Sequence, residues 1–196
     1  MIYNKYLRNE VLITTTNMNN QIQDNQYGKF LIDLKTMEGM HLYYSMKERF
    51  EYRVDNRDEI ISDIAKAIKS YVNTFDSIIT PQSSSDFLSK IMEHLNQEYI
   101  TIPKTEIADI VAFTNQLNLQ KKEKSSHLER IASMGDNFKI NQMKATQRVK
   151  YEPVLFQKIV IPNNGIIIDD SCFSGTTYRA LKNIAPNYQY LTIFAK

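Results

Sequence analysis

Three stretches in the first quarter of the chain carry apolar residues at every second position, and in one of them the alternation with polar residues is strict. In RFEYRVD, Phe50, Tyr52 and Val54 alternate with Arg49, Glu51, Arg53 and Asp55. Phe30, Ile32 and Leu34 hold every second position in YGKFLIDLK, and Leu42, Tyr44 and Met46 in HLYYSM, with Glu38-Gly39 as a hairpin turn between them. A period of two describes a strand with one buried face. Residues from about 11 to 55 are therefore expected to form a small antiparallel sheet, and residues 1–56 a β-rich N-terminal subdomain.

The period then lengthens. Ile61, Ile64, Ile68 and Val72 fall at spacings of three and four, which predicts an amphipathic helix with Asp58 as its N-cap. SIIT (77–80) reads as a strand, and a second helix presents Phe87, Leu88, Ile91, Met92 and Leu95 on one face. YITIP (99–103) is a further strand. Thr105 is a candidate cap for a helix carrying Ile107, Ile110, Val111 and Leu117, after which KKEKSSHLER shows no buried face. Residues 104–150 are expected to be a flexible loop or helical excursion. VLFQKIVIP and GIIIDD read as strands, TTYRALKNI as a helix and YQYLTIFAK as a last strand. Strands alternating with helices imply an α/β core over residues 57–196, built on a parallel sheet.

Composition narrows the functional classes. The 196 residues suffice for one domain with a sizeable core, and 42% hydrophobic with 23% charged residues is ordinary for a globular chain. A net charge of +2 gives no support to nucleic-acid binding, and no apolar run approaches the ~20 residues that span a bilayer. MIYNKYLRNEVLITTT lacks the continuous apolar stretch of a signal peptide. Cys172 is the single cysteine, so an internal disulfide is excluded and a reducing, cytoplasmic location is expected. His41, His94 and His127 are scattered without metal-ligand spacing.

The chemistry concentrates in GIIIDDSCFSGTTYRAL (165–181). Three consecutive β-branched residues suit a central strand covered on both faces. Asp169 and Asp170 stand at its carboxyl end, where open α/β sheets bind ligands. Adjacent carboxylates repel unless partners are supplied, and a sugar diol or a divalent cation would serve. Gly175 permits a sharp turn, Ser174, Thr176 and Thr177 offer hydroxyls, and the helix that follows begins with a positive dipole end suited to phosphate. A plain helix cap explains the hydroxyls alone. A Walker-B-like strand is set aside because the chain contains no GxxxxGK[ST] loop.

IIIDDSCFSGTT closely resembles the phosphoribosyl-pyrophosphate (PRPP) motif of type I phosphoribosyltransferases: an apolar strand, two acids, three variable residues, Ser or Thr, Gly, any residue, then Ser or Thr. Ser174 stands where Thr is commoner. The resemblance implies a parallel sheet flanked by helices with a small N-terminal antiparallel β subdomain. It implies that Asp169 and Asp170 hold the ribose diol and serve catalysis, while Ser171, Cys172, Phe173, Ser174, Gly175, Thr176 and Thr177 hold the 5-phosphate. It places the pyrophosphate loop at Gln82, Ser83, Ser84 and Ser85, and the closing loop at 104–150, with Lys104, Arg130, Lys144 and Arg148 as candidate cations. Mg²⁺, met through the ligand or water near the acid pair, would be the cofactor. PRPP and a small-molecule acceptor would be the partners, with a homodimer by family analogy.

LTIFAK and the spacing of Gln142, Arg148 and Phe156 resemble, faintly, the competence-associated ComF-type branch. Phe173 replaces the Asp that purine-salvage members use for proton transfer, and an apolar ring cannot act as a general acid or base. Phe173 is available to stack on a base or to cover the loop, and Cys172, with no histidine beside it, reads as a small buried residue. Tyr27, Tyr43, Tyr44 and Tyr52 could stack on a planar acceptor or fill the small β layer. Two functions are expected in order: transfer of ribose 5-phosphate with release of pyrophosphate, and, as the alternative, non-catalytic sensing of PRPP or a nucleotide on the same fold.

Overall fold

Alternation and run length place a parallel sheet at the centre of the molecule. A computed structural model describes residues 21–47, 56–135 and 138–196. It contains strands β1 (Gln23–Asn25), β2 (Gly28–Asp33), β3 (Ile78–Pro81), β4 (Ile100–Ile102), β5 (Ile166–Cys172) and β6 (Gln189–Ala195). The helices are α1 (Met37–Met46), α2 (Arg57–Val72), α3 (Phe87–Leu95), α4 (Ile107–Gln116), α5 (Lys121–Met134), α6 (Ala145–Tyr151) and α7 (Thr176–Ile184). One mixed sheet runs in the order β1-β2-β6-β5-β3-β4, parallel throughout except for β1, which pairs antiparallel with β2.

The three isoleucines of β5 show why this strand is interior. Ile166 and Ile168 pack with α1, α2 and α3, in a cluster that includes Leu42, Ile64, Ile68 and Phe87. Ile167 points the other way and packs with Ile110, Ile131, Tyr151 and Leu181 of α4 to α7. All three are 0% exposed, so successive side chains of one strand feed two separate layers.

Several expectations change. HLYYSM is the second half of α1 and not a strand: Leu42 and Met46, two of the alternating positions, are also four apart and so share one helical face. Gly39 lies in the first turn of that helix, where its N–H donates to the Thr36 N-cap hydroxyl at 3.0 Å; there is no hairpin at Glu38-Gly39. The strand expected over 49–55 lies outside the described residues. Among the described residues of 1–56, β1 and β2 do not form a separate antiparallel layer, because β2 pairs in parallel with β6 at the edge of the main sheet. The N-cap of α2 is Asn56, and Asp58 sits in the first turn bonded to Lys90 at 2.8 Å.

VLFQKIVIP is not a strand of the sheet. Its backbone pairs with the segment after β4, with Thr105 N–H to Leu155 O at 3.1 Å and Gln157 N–H to Pro103 O at 2.9 Å. Leu155 and Phe156 turn inward, while Val160 is 98% exposed. The polar stretch KKEKSSHLER is the body of α5, whose buried residues are His127 and Ile131.

These placements predict a contrast. Phe87→Ala, at a 0% exposed position, should cost about 3–5 kcal/mol, whereas Val160→Ala should stay within ~0.5 kcal/mol. Urea unfolding of both variants measures it; a large loss for Val160→Ala would restore that segment to the core.

Candidate functional site

A parallel sheet creates a crevice where neighbouring strands send their crossovers in opposite directions. Here that point falls between β3, which leads through α3 to the edge strand β4, and β5, which leads through α7 to β6 on its other side. The acid pair stands at the end of β5, and PQSSS follows directly from β3.

Strand alternation separates the two carboxylates. Asp169 shares the side of Ile167 and is 4% exposed; the Tyr190 hydroxyl donates to its Oδ2 at 2.5 Å and the Asp170 N–H to its Oδ1 at 2.8 Å. Burial pushes its carboxyl up to about 7, with the Asp170 charge adding to the rise and the Tyr190 hydrogen bond opposing it. Asp170 points to the other face. Its Oδ2 carries an ion pair with Lys47 and accepts from Ser83 Oγ at 3.4 Å, and its Oδ1 accepts from Ser171 Oγ at 2.7 Å. Each acid thus has a separate partner inside the protein, while the Asp170 charge still bears on Asp169.

The turn after β5 is tightly built. Cys172 is buried, and burial pushes its thiol up to about 11, as suits a packing residue. Phe173 is 44% exposed and meets the edge of Tyr43, ring centroids 5.3 Å apart. Ser174 Oγ and Thr176 Oγ1 share a hydrogen bond of 3.0 Å. Gly175 occupies the N-cap position of α7 with φ 69°, where a Cβ would lie 2.3 Å from the ring of Tyr27. Only glycine fits that close approach. The Ser174 carbonyl accepts from Tyr27 Oη at 3.4 Å and from Arg179 Nη1 at 3.2 Å, so the β1–β2 turn and α7 clasp this loop from both sides. Thr176 is buried and Thr177 half-buried.

The four loop residues after β3 divide. Ser83 and Ser85 hydroxyls lie 3.3 Å apart, facing Asp170 and Lys47. Gln82 instead ties the loop to the end of β4, donating its N–H to Ile102 O at 2.9 Å and accepting from Lys104 N–H at 2.8 Å. Ser84 is exposed.

The candidate cations divide as well. Lys104 lies within electrostatic reach of Asp170, Lys139, Lys47 and Asp169, and removal of water from around its ammonium pushes its pKa down despite an exposed stem. Arg148 is structural, its guanidinium bonded to Met143 O at 2.9 Å and Asn141 O at 2.7 Å. Arg130 and Lys144 are exposed surface charges. Lys47 was missed. It sits at the C-terminal end of α1 and reaches Asp170, Ser85 at 3.4 Å and the face of Tyr43 at 5.9 Å. The strand reading of HLYYSM hid it; read as a helix, that segment carries Tyr43 and Lys47 on one side, four residues apart.

A depression lined by Thr105, Glu106, Asp109, Val154, Phe156 and Lys158 is separate from these groups and includes none of the motif residues. Among the described residues no helix is long and apolar enough to cross a membrane. No family model, no curated protein and no solved structure matches the chain.

The raised carboxyl of Asp169 gives a pH signature. The unfolded state loses this proton near pH ~4 and the folded state holds it to about 7, so the contribution to stability falls as pH rises through that window and is constant above it. Asp169→Asn, which keeps an acceptor for Tyr190, should flatten that part of the stability profile. Urea midpoints between pH 4 and 8 test it, and parallel slopes for parent and variant would count against a buried neutral acid.

Proposed function

We propose that this protein binds PRPP in the crevice between β3 and β5 and transfers its ribose 5-phosphate to a small-molecule acceptor, releasing pyrophosphate. The observation that carries the reading is a juxtaposition: the motif 169–177 and the serine loop 83–85 meet across the switch point of a parallel sheet, joined by the contact of Ser83 with Asp170. Asp170 is the acid placed to accept from a ribose hydroxyl, since its oxygens already take hydroxyl and ammonium donors on the crevice side. Phe173 and Tyr43 form an aromatic wall beside it, suited to a planar acceptor.

In the transfer, the acceptor's lone pair forms a bond to the anomeric carbon while the bond from that carbon to pyrophosphate breaks. Its electron pair departs on the pyrophosphate oxygen, and the acceptor's proton passes to solvent. Positive charge grows on the sugar and negative charge on the leaving group, so fixed charges outweigh proton transfer in such a step. Lys47 and Lys104 face that leaving charge.

The Mg²⁺ that the resemblance implies finds no direct ligand set in these residues. Asp169 and Asp170 diverge to opposite faces of β5, and each is already engaged, by Tyr190 and by Lys47. Among the described residues no three His, Cys, Asp or Glu side chains are grouped to hold an ion. No step of this proposal is drawn through Mg²⁺.

Sensing without catalysis is a second reading, favoured by the engagement of Asp169 with Tyr190 and by the apolar Phe173, neither of which offers a free general base. Calorimetric titration with PRPP, in parent and Asp170→Asn, tests both. Binding is expected in the parent and a loss of about tenfold or more in the variant, as for a charged hydrogen bond. An absence of heat in the parent would remove both readings. Pyrophosphate release with a panel of purine, pyrimidine and pyridine bases marks the transferase; binding without release marks the sensor.

A further inference from the structure

We propose that Lys47 is the resident cation of the crevice, occupying the place at Asp170 that a divalent ion would take, and that PRPP therefore binds here without metal. The ligand in this inference rests on the function proposed above; the exclusion of metal by Lys47 does not.

The first ground is placement. Lys47 closes α1, its backbone N–H donating to Tyr43 O at 3.2 Å, so the root of the side chain is held by the helix. From there the ammonium reaches two further elements, Asp170 on β5 and Ser85 in the loop after β3 at 3.4 Å, and lies 5.9 Å from the centroid of the Tyr43 ring on its own helix. The side chains of Lys47 and Asp170 are only 17% and 13% exposed, so the pair is shielded from bulk water rather than loose on the surface. An ammonium is a compact charge with three donors, able to bridge a carboxylate and a hydroxyl at once.

Charge balance is the second ground. A divalent ion at Asp170 would have to displace Lys47, and the adjacent carboxylate, Asp169, lies on the other face under Tyr190. It would also enter a region that already holds Lys104 and, within electrostatic reach of Lys104, Lys139. A phosphorylated sugar has the opposite relation to the same groups. Its hydroxyls can take over Asp170, while its phosphate oxygens attract the ammonium that leaves it.

The test uses the full chain in four forms: parent, Lys47→Met, Lys47→Arg and Lys47→Met/Asp170→Asn. Mn²⁺ binding is followed by electron paramagnetic resonance, and PRPP binding by calorimetry in EDTA and in Mg²⁺. Lys47→Met should bind Mn²⁺ about tenfold or more tightly than the parent, the double variant should lose that gain, and Lys47→Arg should behave as the parent. The parent should bind PRPP in EDTA within about threefold of its affinity in Mg²⁺, and Lys47→Met should fall about tenfold in EDTA and recover in Mg²⁺. Equal Mn²⁺ affinity in parent and Lys47→Met overturns the inference, as does loss of PRPP binding by the parent in EDTA when Mg²⁺ supports it. If no form binds PRPP under either condition, the proposed function fails; a Mn²⁺ gain confined to Lys47→Met would still show Lys47 as the group that keeps metal out.

Discussion

Everything at the candidate site depends on the alternation of one interior strand. β5 is covered on both faces, so each step along it moves a side chain from one helical layer to the other. Ile166, Ile167 and Ile168 use that alternation for packing, and Asp169 and Asp170 inherit it. Two carboxylates adjacent in sequence are thereby sent to different environments. Asp169 goes beneath Tyr190 and keeps its proton to about pH 7, while Asp170 emerges in the crevice among donors. The pair is two acids in different surroundings, and Asp170 alone of the two faces the crevice between β3 and β5.

The neighbours of β5 complete the arrangement without further strain on the sequence. β3 and β6 bring serine hydroxyls from one side and Tyr190 from the other. The β1–β2 turn adds Tyr27 over Gly175, so the edge hairpin and the loop before α7 brace each other. Arg179 joins that brace to Glu152 with Nε at 2.7 Å from Oε1, which ties the end of the helical excursion to the same loop. A ligand held by residues 173–177 would therefore bear on three separate parts of the chain.

What could be read in advance follows the strength of each local pattern. Long apolar periods were legible: α2, α3, β3, β5, α7 and β6 stand where spacing put them, within a residue or two. Short alternations were not, because Leu42 and Met46 satisfy a period of two and a spacing of four equally well, and the Thr36 cap decided for helix. α5 was illegible for another reason. It docks through His127, whose Nδ1 lies 2.8 Å from the Tyr151 hydroxyl, which in turn shares a 3.1 Å bond with Thr114. A buried polar network of that kind leaves no apolar stripe to find. The motif residues were legible as a group, but their partners Tyr190, Ser83 and Lys47 come from distant elements, and only the sheet order brings them together.

The charges of the crevice bear on what it can hold. Near neutral pH the buried acid, Asp169, is at the midpoint of its titration, and Asp170 is balanced by Lys47. Lys104 then stands without a dedicated counter-ion among the interactions that shape its pKa: the attractions of Asp170 and Asp169 are opposed by Lys139 and Lys47, and loss of water around the ammonium outweighs them all. An ammonium in that position gains from any anion that enters. The overall charge of the chain gave no hint of this, since +2 is nearly neutral. The charge of the crevice is a property of a few groups converging at the carboxyl ends of two interior strands, where partly excluded water lets short-range charge act strongly.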